Sequence, residues 1–193
     1  MALKVLNKSE EMKMPKEFYH MTIAGLERDL PICPINDNLS IAGFVMFGDV
    51  EVTEACAREL LKKCPEHDVI LTAESKGIPI AYEMARQGCG KYVVARKGVK
   101  AYMTNPVSVE VKSITTFKVQ TLILSEEDAE ELRGKRVLIV DDVISTGESL
   151  EALEALLAKC DSKAVAKAAV LAEGDAKDRD DIIYLEPLPL FFK

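Results

Sequence analysis

Several features are scarce in this 193-residue chain, and each scarcity removes a class of function. Apolar runs are short. None approaches the ~18 residues that cross a bilayer as a helix, and the opening MALKVLNKSEEMKM alternates charge with brief apolar pieces instead of building a signal-peptide core. The expectation is a cytoplasmic protein with no membrane partner. Histidine occurs only at His20 and His67, without the spacing of a helical metal pair. The five cysteines (Cys33, Cys56, Cys64, Cys89, Cys160) are odd in number and form no C-x-x-C pair. That excludes a disulfide framework or zinc cage and predicts buried, reduced thiols. Positive charge is in the minority: a net charge of -7 argues against a nucleic-acid partner held by a broad basic face. The pattern G-x-x-x-x-G-K-S/T is absent, which excludes a P-loop.

What is present reads as ordinary globular material, with 48% apolar and 30% charged residues. The length suits a single domain spanning residues 1–193. Residues 18–47 are broken by prolines and turn residues and predict an irregular hood with one or two short strands. GDVEVTEACARELLKK predicts a helix capped by Asp49 or Thr53, with Val52, Cys56 and Leu60 on one face and Pro65 as its stop. DVILTA then predicts a strand, IPIAYEMARQGCG a helix, and KYVVARK a strand. GVKAYMTNPVSVEVKS reads as a polar connection, TTFKVQTLILS as a strand, and SEEDAEELRGK as a charged turn or short helical piece. RVLIVDD is the strongest strand, GESLEALEALLAKC a helix with Leu150, Leu153, Leu157 and Cys160 on one face, and AKAAVLAEG a further strand. Alternating strands and helices predict an α/β fold: a mostly parallel sheet with helices on both faces and ligand chemistry at the carboxyl ends of the strands.

Within that frame RVLIVDDVISTGESL is the informative stretch. VLIV reads as a parallel strand buried on both faces, so Asp141 and Asp142 stand where the strand opens into a crevice. Successive strand residues point to opposite faces, so the two acids need not share one environment. Neither can be buried unpartnered, and polyol hydroxyls, a hydrated magnesium ion, or a lysine or arginine would each satisfy them. Val143, Ile144, Ser145, Thr146, Gly147, Glu148 and Ser149 follow, with hydroxyls, a glycine and a helix start. Backbone N–H groups and the partial positive charge of the helix N-terminus make that turn a phosphate cradle. An acidic pair joined to an anion cup suits a sugar phosphate lying across both. A receiver-domain reading of VLIVDD would require about a hundred further residues after the acids.

The stretch VLIVDDVISTGES resembles the signature of the type I phosphoribosyltransferases, which bind 5-phosphoribosyl-1-diphosphate (PRPP). The resemblance implies that Asp141 and Asp142 read the ribose hydroxyls and assist Mg²⁺, through water, while Val143 to Ser149 hold the 5'-phosphate. Glu148 is a mild departure and is expected to point outward. TAESKGIP resembles the pyrophosphate loop of the adenine enzymes, which implies pyrophosphate contacts by Glu74, Ser75, Lys76 and Gly77. Lys76 stands where that subfamily has arginine. VVARKGVKAYM resembles the basic strand end that follows, adding Arg96, Lys97 and Lys100, and LEPLPLFF resembles the adenine enzymes' tail. The resemblance covers about residues 50 to 193, and it implies a homodimer.

It further implies displacement of pyrophosphate from the ribose by a purine base, with Asp141, Asp142 and Lys97 as the catalytic set and closure of the loop at 98–116. The base is expected beneath the hood near Leu171, Ala172 and Glu173, while Phe44, Phe47, Phe191 and Phe192 are either stacking groups or core. In SITTFKVQ, Thr115 and Thr116 replace the acid and tyrosine of the adenine enzymes and look nearer to bacterial xanthine phosphoribosyltransferases. Glu110 is the nearest alternative acid. A purine salvage enzyme, with adenine favoured, is the leading expectation. A xanthine-type enzyme and a PRPP-sensing regulator are the alternatives, the regulator needing a partner to supply a basic DNA-binding surface.

Overall fold

The structure, a computed structural model, describes residues 17–112 and 119–193. It begins with a hairpin of β1 (Phe18–Ile23) and β2 (Leu26–Asn36). The turn places Ala24 and Gly25 at φ of 51° and 85°, and positive φ at both loop residues matches the twist of the flanking strands. β3 (Leu39–Ala42) pairs antiparallel with β2. The irregular hood expected over 18–47 is therefore corrected to three paired strands. Its prolines misled because they sit where a missing N–H is tolerated: Pro31 at the end of the β1 pairing and Pro34 at a register shift.

α1 (Val50–Lys63) is capped by Asp49, whose carboxylate accepts the Val52 N–H at 3.1 Å, and it buries Val52, Cys56 and Leu60. β4 (Val69–Ala73), α2 (Ile78–Gln87) and β5 (Tyr92–Ala95) follow as the pattern predicts. β6 (Val107–Lys112) then pairs antiparallel with β7 (Val119–Leu124). Reading this stretch as a polar connection was wrong, since VSVEVK alternates with the period of a half-buried strand. α3 (Glu126–Leu132), capped by Ser125, leads into β8 (Arg136–Ile144), α4 (Glu148–Lys159) and β9 (Lys163–Glu173). A 3-10 turn (Gly174–Asp178), β10 (Ile183–Leu188) and β11 (Leu190–Phe192) complete the chain.

β10, β9, β8, β4 and β5 form, in that order, a wholly parallel sheet. β8 lies at its centre, and its alternation divides the core in two. Val137 and Ile139 pack with Leu153, Leu156 and Leu157 of α4. Leu138 and Val140 pack with Cys56, Leu60, Ile80 and Met84 of α1 and α2. Each such buried Leu or Ile contributes ~1.5–3 kcal/mol over an exposed one, so the strand carrying the two acids is held firmly from both faces. β11 pairs with β3, which joins the tail to the hood sheet beside the carboxyl end of β8. All five cysteines are unpaired; Cys56 and Cys160 are buried, whereas Cys33, Cys64 and Cys89 are part-exposed, so burial holds for only two. No helix among the described residues is long and apolar enough to cross a membrane.

Candidate functional site

β8 does not end at the acids. Asp141, Val143 and Ile144 still pair with Ala169, Leu171 and Ala172 of β9, so both carboxylates are held on a rigid strand. Asp142 is buried and its Oδ2 accepts from Lys76 Nζ at 2.7 Å. Asp141 Oδ1 accepts the Asp142 N–H at 2.9 Å. Burial, and then the neighbouring Asp142 charge, push the Asp141 carboxyl well above the ordinary carboxylate range. The two acids thus have different surroundings, one matched by lysine and one not.

The loop after β4 closes on this pair. At Gly77 a Cβ would overlap Thr72 Oγ1 and lie 2.8 Å from Asp141 Oδ1, although its φ of -71° would suit any residue. Close approach, not backbone freedom, requires this glycine. Thr72, wholly buried and with no hydrogen-bond partner for Oγ1, was missed from the sequence. A hydroxyl within an otherwise apolar strand was the available signal.

Glu74 follows, across a cis peptide to Ser75. Its Oε2 accepts the Lys97 N–H at 2.9 Å, while Oε1 lies 3.2 Å from Arg96 Nη2 and 3.8 Å from Lys100 Nζ. That N–H bond and the Arg96, Lys100 and Lys97 charges hold the Glu74 carboxyl below its usual range. As an anion, Glu74 orients the basic strand end; the cations, not Glu74, are suited to meet a diphosphate. Arg96 is anchored through its backbone, exchanging both hydrogen bonds with Ile123 at 2.8 and 2.9 Å. A cavity of about 210 Å³ collects Glu74, Ser75, Lys76, Lys97, Asp141, Asp142 and Ser149.

Beside it lies a cup of about 130 Å³, formed by Asp141 and Val143 to Leu150. Gly147, at φ 86°, is the residue from which α4 starts, and no side chain caps that start. The first turn of such a helix start presents N–H groups suited to an anion. Glu148 is among the residues lining the cup.

A third cavity, about 330 Å³, lies beneath the hood between Ile41 to Val45 and Lys76, Val143, Ser145, Glu173 and Leu188. Of the three residues expected near a base, Glu173 lines it, whereas the Leu171 and Ala172 side chains are buried in the two halves of the core. Phe44 is buried core that also borders this cavity. Phe191 stacks edge-on against Tyr19 at 5.5 Å, and Phe47 and Phe192 are exposed elsewhere. Glu110 sits exposed on β6, away from the three cavities, and Thr115 and Thr116 lie outside the described residues. The hood strands and Leu188 were not foreseen as lining, because they are apolar and distant in sequence from the motif.

Among the described residues no three or more His, Cys, Asp or Glu side chains come together as a metal cage. Two carboxylates at a cavity mouth fit Mg²⁺ only in the mode where substrate oxygens and water complete its shell.

A parallel sheet whose central strand opens into an acidic pair, an anion cup and a basic rim defines a class: α/β proteins with their ligand chemistry at the carboxyl ends of the strands. The phosphoribosyl transferase domain family matches residues 49–186, and the chain belongs to that family, with the type I fold. It is 28% identical over 169 residues to the adenine phosphoribosyltransferase of Mycobacterium avium, covering 87% of this chain and 89% of that protein. It is 32% identical to the hypoxanthine/guanine phosphoribosyltransferase of Methanococcus voltae, covering 71% and 70%. It is also 32% identical over 113 residues to the Bacillus subtilis purine biosynthesis transcriptional repressor PurR, covering 58% of this chain but 39% of that protein. The chain spans about half of the Streptococcus pneumoniae regulator of the same name, 54% of it. In fold it is similar to the adenine phosphoribosyltransferase of Rhodothermus marinus (TM-score 0.64, 19% identity, 91% of this chain and 96% of that one). The Trypanosoma brucei enzyme, solved with AMP, pyrophosphate and ribose-5-phosphate, is also similar (TM-score 0.61, 17% identity, 90% and 77%).

Proposed function

We propose that this chain is a purine phosphoribosyltransferase of nucleotide salvage, moving the 5-phosphoribosyl group of PRPP onto a purine, with adenine favoured. The observation that carries the reading is the adjacency of the three cavities: Lys76 borders the second and third, Ser145 the first and third, and Val143 all three, counting the cup first. A sugar held at Asp141 and Asp142 then has its 5'-phosphate in the cup, its diphosphate against Lys76 and Lys97, and its anomeric carbon toward the space under the hood. The bond from that carbon to the diphosphate oxygen breaks, the bond to a purine ring nitrogen forms, and the nitrogen's proton passes to water or to the departing pyrophosphate. Negative charge grows on pyrophosphate, where Lys76 and Lys97 line the cavity and Arg96 and Lys100, paired with Glu74, stand behind them. Bound Mg²⁺ would supply further neutralisation of the diphosphate. Asp141 and Asp142 orient the ribose, and residues 18–47 serve as the hood over the base within one domain. We place the protein in the cytoplasm as a homodimer.

A second reading, a PRPP-binding regulator, draws support from the similarity to the PurR repressors. A pyrophosphate-release assay with PRPP and Mg²⁺ separates them, run against adenine, xanthine, hypoxanthine, guanine, uracil and orotate. Turnover greatest with adenine is expected; turnover greatest with xanthine would reassign the base. Tight PRPP binding with no turnover on any base would overturn the enzyme reading in favour of the regulator.

A further inference from the structure

One strong cation near the cup has no part in the site described above. Arg179 follows the 3-10 turn and lies outside the residues lining the cup. Yet its Nη1 is so close behind Gly147 that a Cβ there would collide with it. Its guanidinium is fixed: Nε and Nη2 donate to the two oxygens of Asp181, both at 2.8 Å. Asp181 is held in turn by Lys167 Nζ at 2.7 Å, and Lys167 reaches Glu154 of α4 at 3.2 Å. A bidentate fork of this kind sets direction as well as charge.

The reason such a group is needed lies in α4 itself. Glu148 and Glu151 occupy its first turn and Glu154 the next. Acids there favour the empty helix, but they oppose a doubly charged phosphate arriving at the same N–H groups. Arg179 sits where it offsets that opposition, and its bonds to Asp181, followed by the Asp181, Glu154 and Glu151 charges, raise its guanidinium still further above the ordinary arginine value. Its Nη1 also fills the space behind Gly147, whose φ of 86° shapes the cup.

We propose that Arg179, clamped by Asp181, is a positioning residue that tunes the cup for a phosphate dianion from behind, without touching it. The proposal rests on the reading that the cup takes the 5'-phosphate. Calorimetric titration of the full chain with ribose 5-phosphate and, separately, with pyrophosphate and Mg²⁺ tests it. Arg179→Gln is expected to weaken ribose 5-phosphate on the order of tenfold while leaving pyrophosphate within about twofold, because only the first ligand occupies the cup. Arg179→Lys, which keeps the charge, should recover part of the loss. Asp181→Asn, which frees the fork, should lose several-fold on ribose 5-phosphate alone. Ribose 5-phosphate affinity unchanged in Arg179→Gln, or equal losses on both ligands, would overturn the proposal. A wild-type chain that binds pyrophosphate but not ribose 5-phosphate would instead overturn the cup reading, and this role with it.

Discussion

Gly77→Ala isolates the closest approach in the site. The backbone at Gly77 has φ -71° and ψ -11°, open to alanine, and exchanging glycine for alanine there should stabilise by about 0.4–1 kcal/mol through the unfolded chain. Against that, the new methyl overlaps Thr72 Oγ1 and sits 2.8 Å from Asp141 Oδ1. Neither neighbour can yield cheaply: Thr72 is fully buried in β4, and Asp141 is held in the β8 ladder. Overpacking of this kind costs roughly 1–3 kcal/mol, so the net expectation is a loss of about 1–2 kcal/mol, or about 2–8 °C in Tm for a chain of this size. PRPP affinity should fall further than stability does, since the strain is directed at Asp141. Adding Thr72→Ala removes one of the two overlaps. The double variant should regain about 1 kcal/mol relative to the sum of the single changes, yet remain weak for PRPP because the Asp141 contact persists. Urea unfolding and calorimetry on the four proteins give both quantities. A Gly77→Ala chain as stable as wild type and equal in PRPP affinity would refute the packing argument.

Other expectations follow from the same geometry. The Asp141 carboxyl is raised in the fold by burial and by Asp142, so its contribution to stability is whole below the unfolded carboxylate pKa and is lost as pH rises through the folded value. Asp141→Asn should therefore exceed wild type in stability by about 1 kcal/mol or more near pH ~8, with the advantage closing toward pH ~4; urea midpoints at both pH values check this, and a pH-independent difference would contradict it. Leu153→Ala, on the wholly buried face of α4, should cost about 2–5 kcal/mol in the same assay. Burial pushes the Cys56 thiol up to about 12 and the Cys64 thiol up to about 11. Thiol-reagent labelling at neutral pH should accordingly reach Cys33 and Cys89 first and Cys56 only on unfolding; early labelling of Cys56 would show that α1 opens readily.

The sheet and the acidic pair were legible in the sequence for a physical reason. A parallel strand buried on both faces must be apolar along its length, so VLIV marked a central strand bearing two carboxylates near a crevice, although the strand runs on past them to Ile144. The helix behind it was equally plain, because Leu150, Leu153 and Leu157 repeat at helical spacing. The hood was not legible, since its pairing depends on where Pro31 and Pro34 meet their partners, and that is decided by β1 and β3 together. β6 was overlooked although VSVEVK alternates, because the preceding proline and turn residues suggested a loop. The base cavity is drawn from Ile41 to Val45, Glu173 and Leu188, residues unremarkable until the fold assembles them. Thr72 and Arg179 act by proximity to Gly77 and Gly147, a relation that no local pattern encodes.

The central claim is that β8 delivers two carboxylates to PRPP. Calorimetric titration of Mg²⁺ and PRPP into wild type and into Asp141→Asn/Asp142→Asn tests it most directly. The account predicts saturable one-site binding to wild type and none measurable to the double variant, which still unfolds in one cooperative transition. Equal PRPP affinity in the two proteins would contradict it.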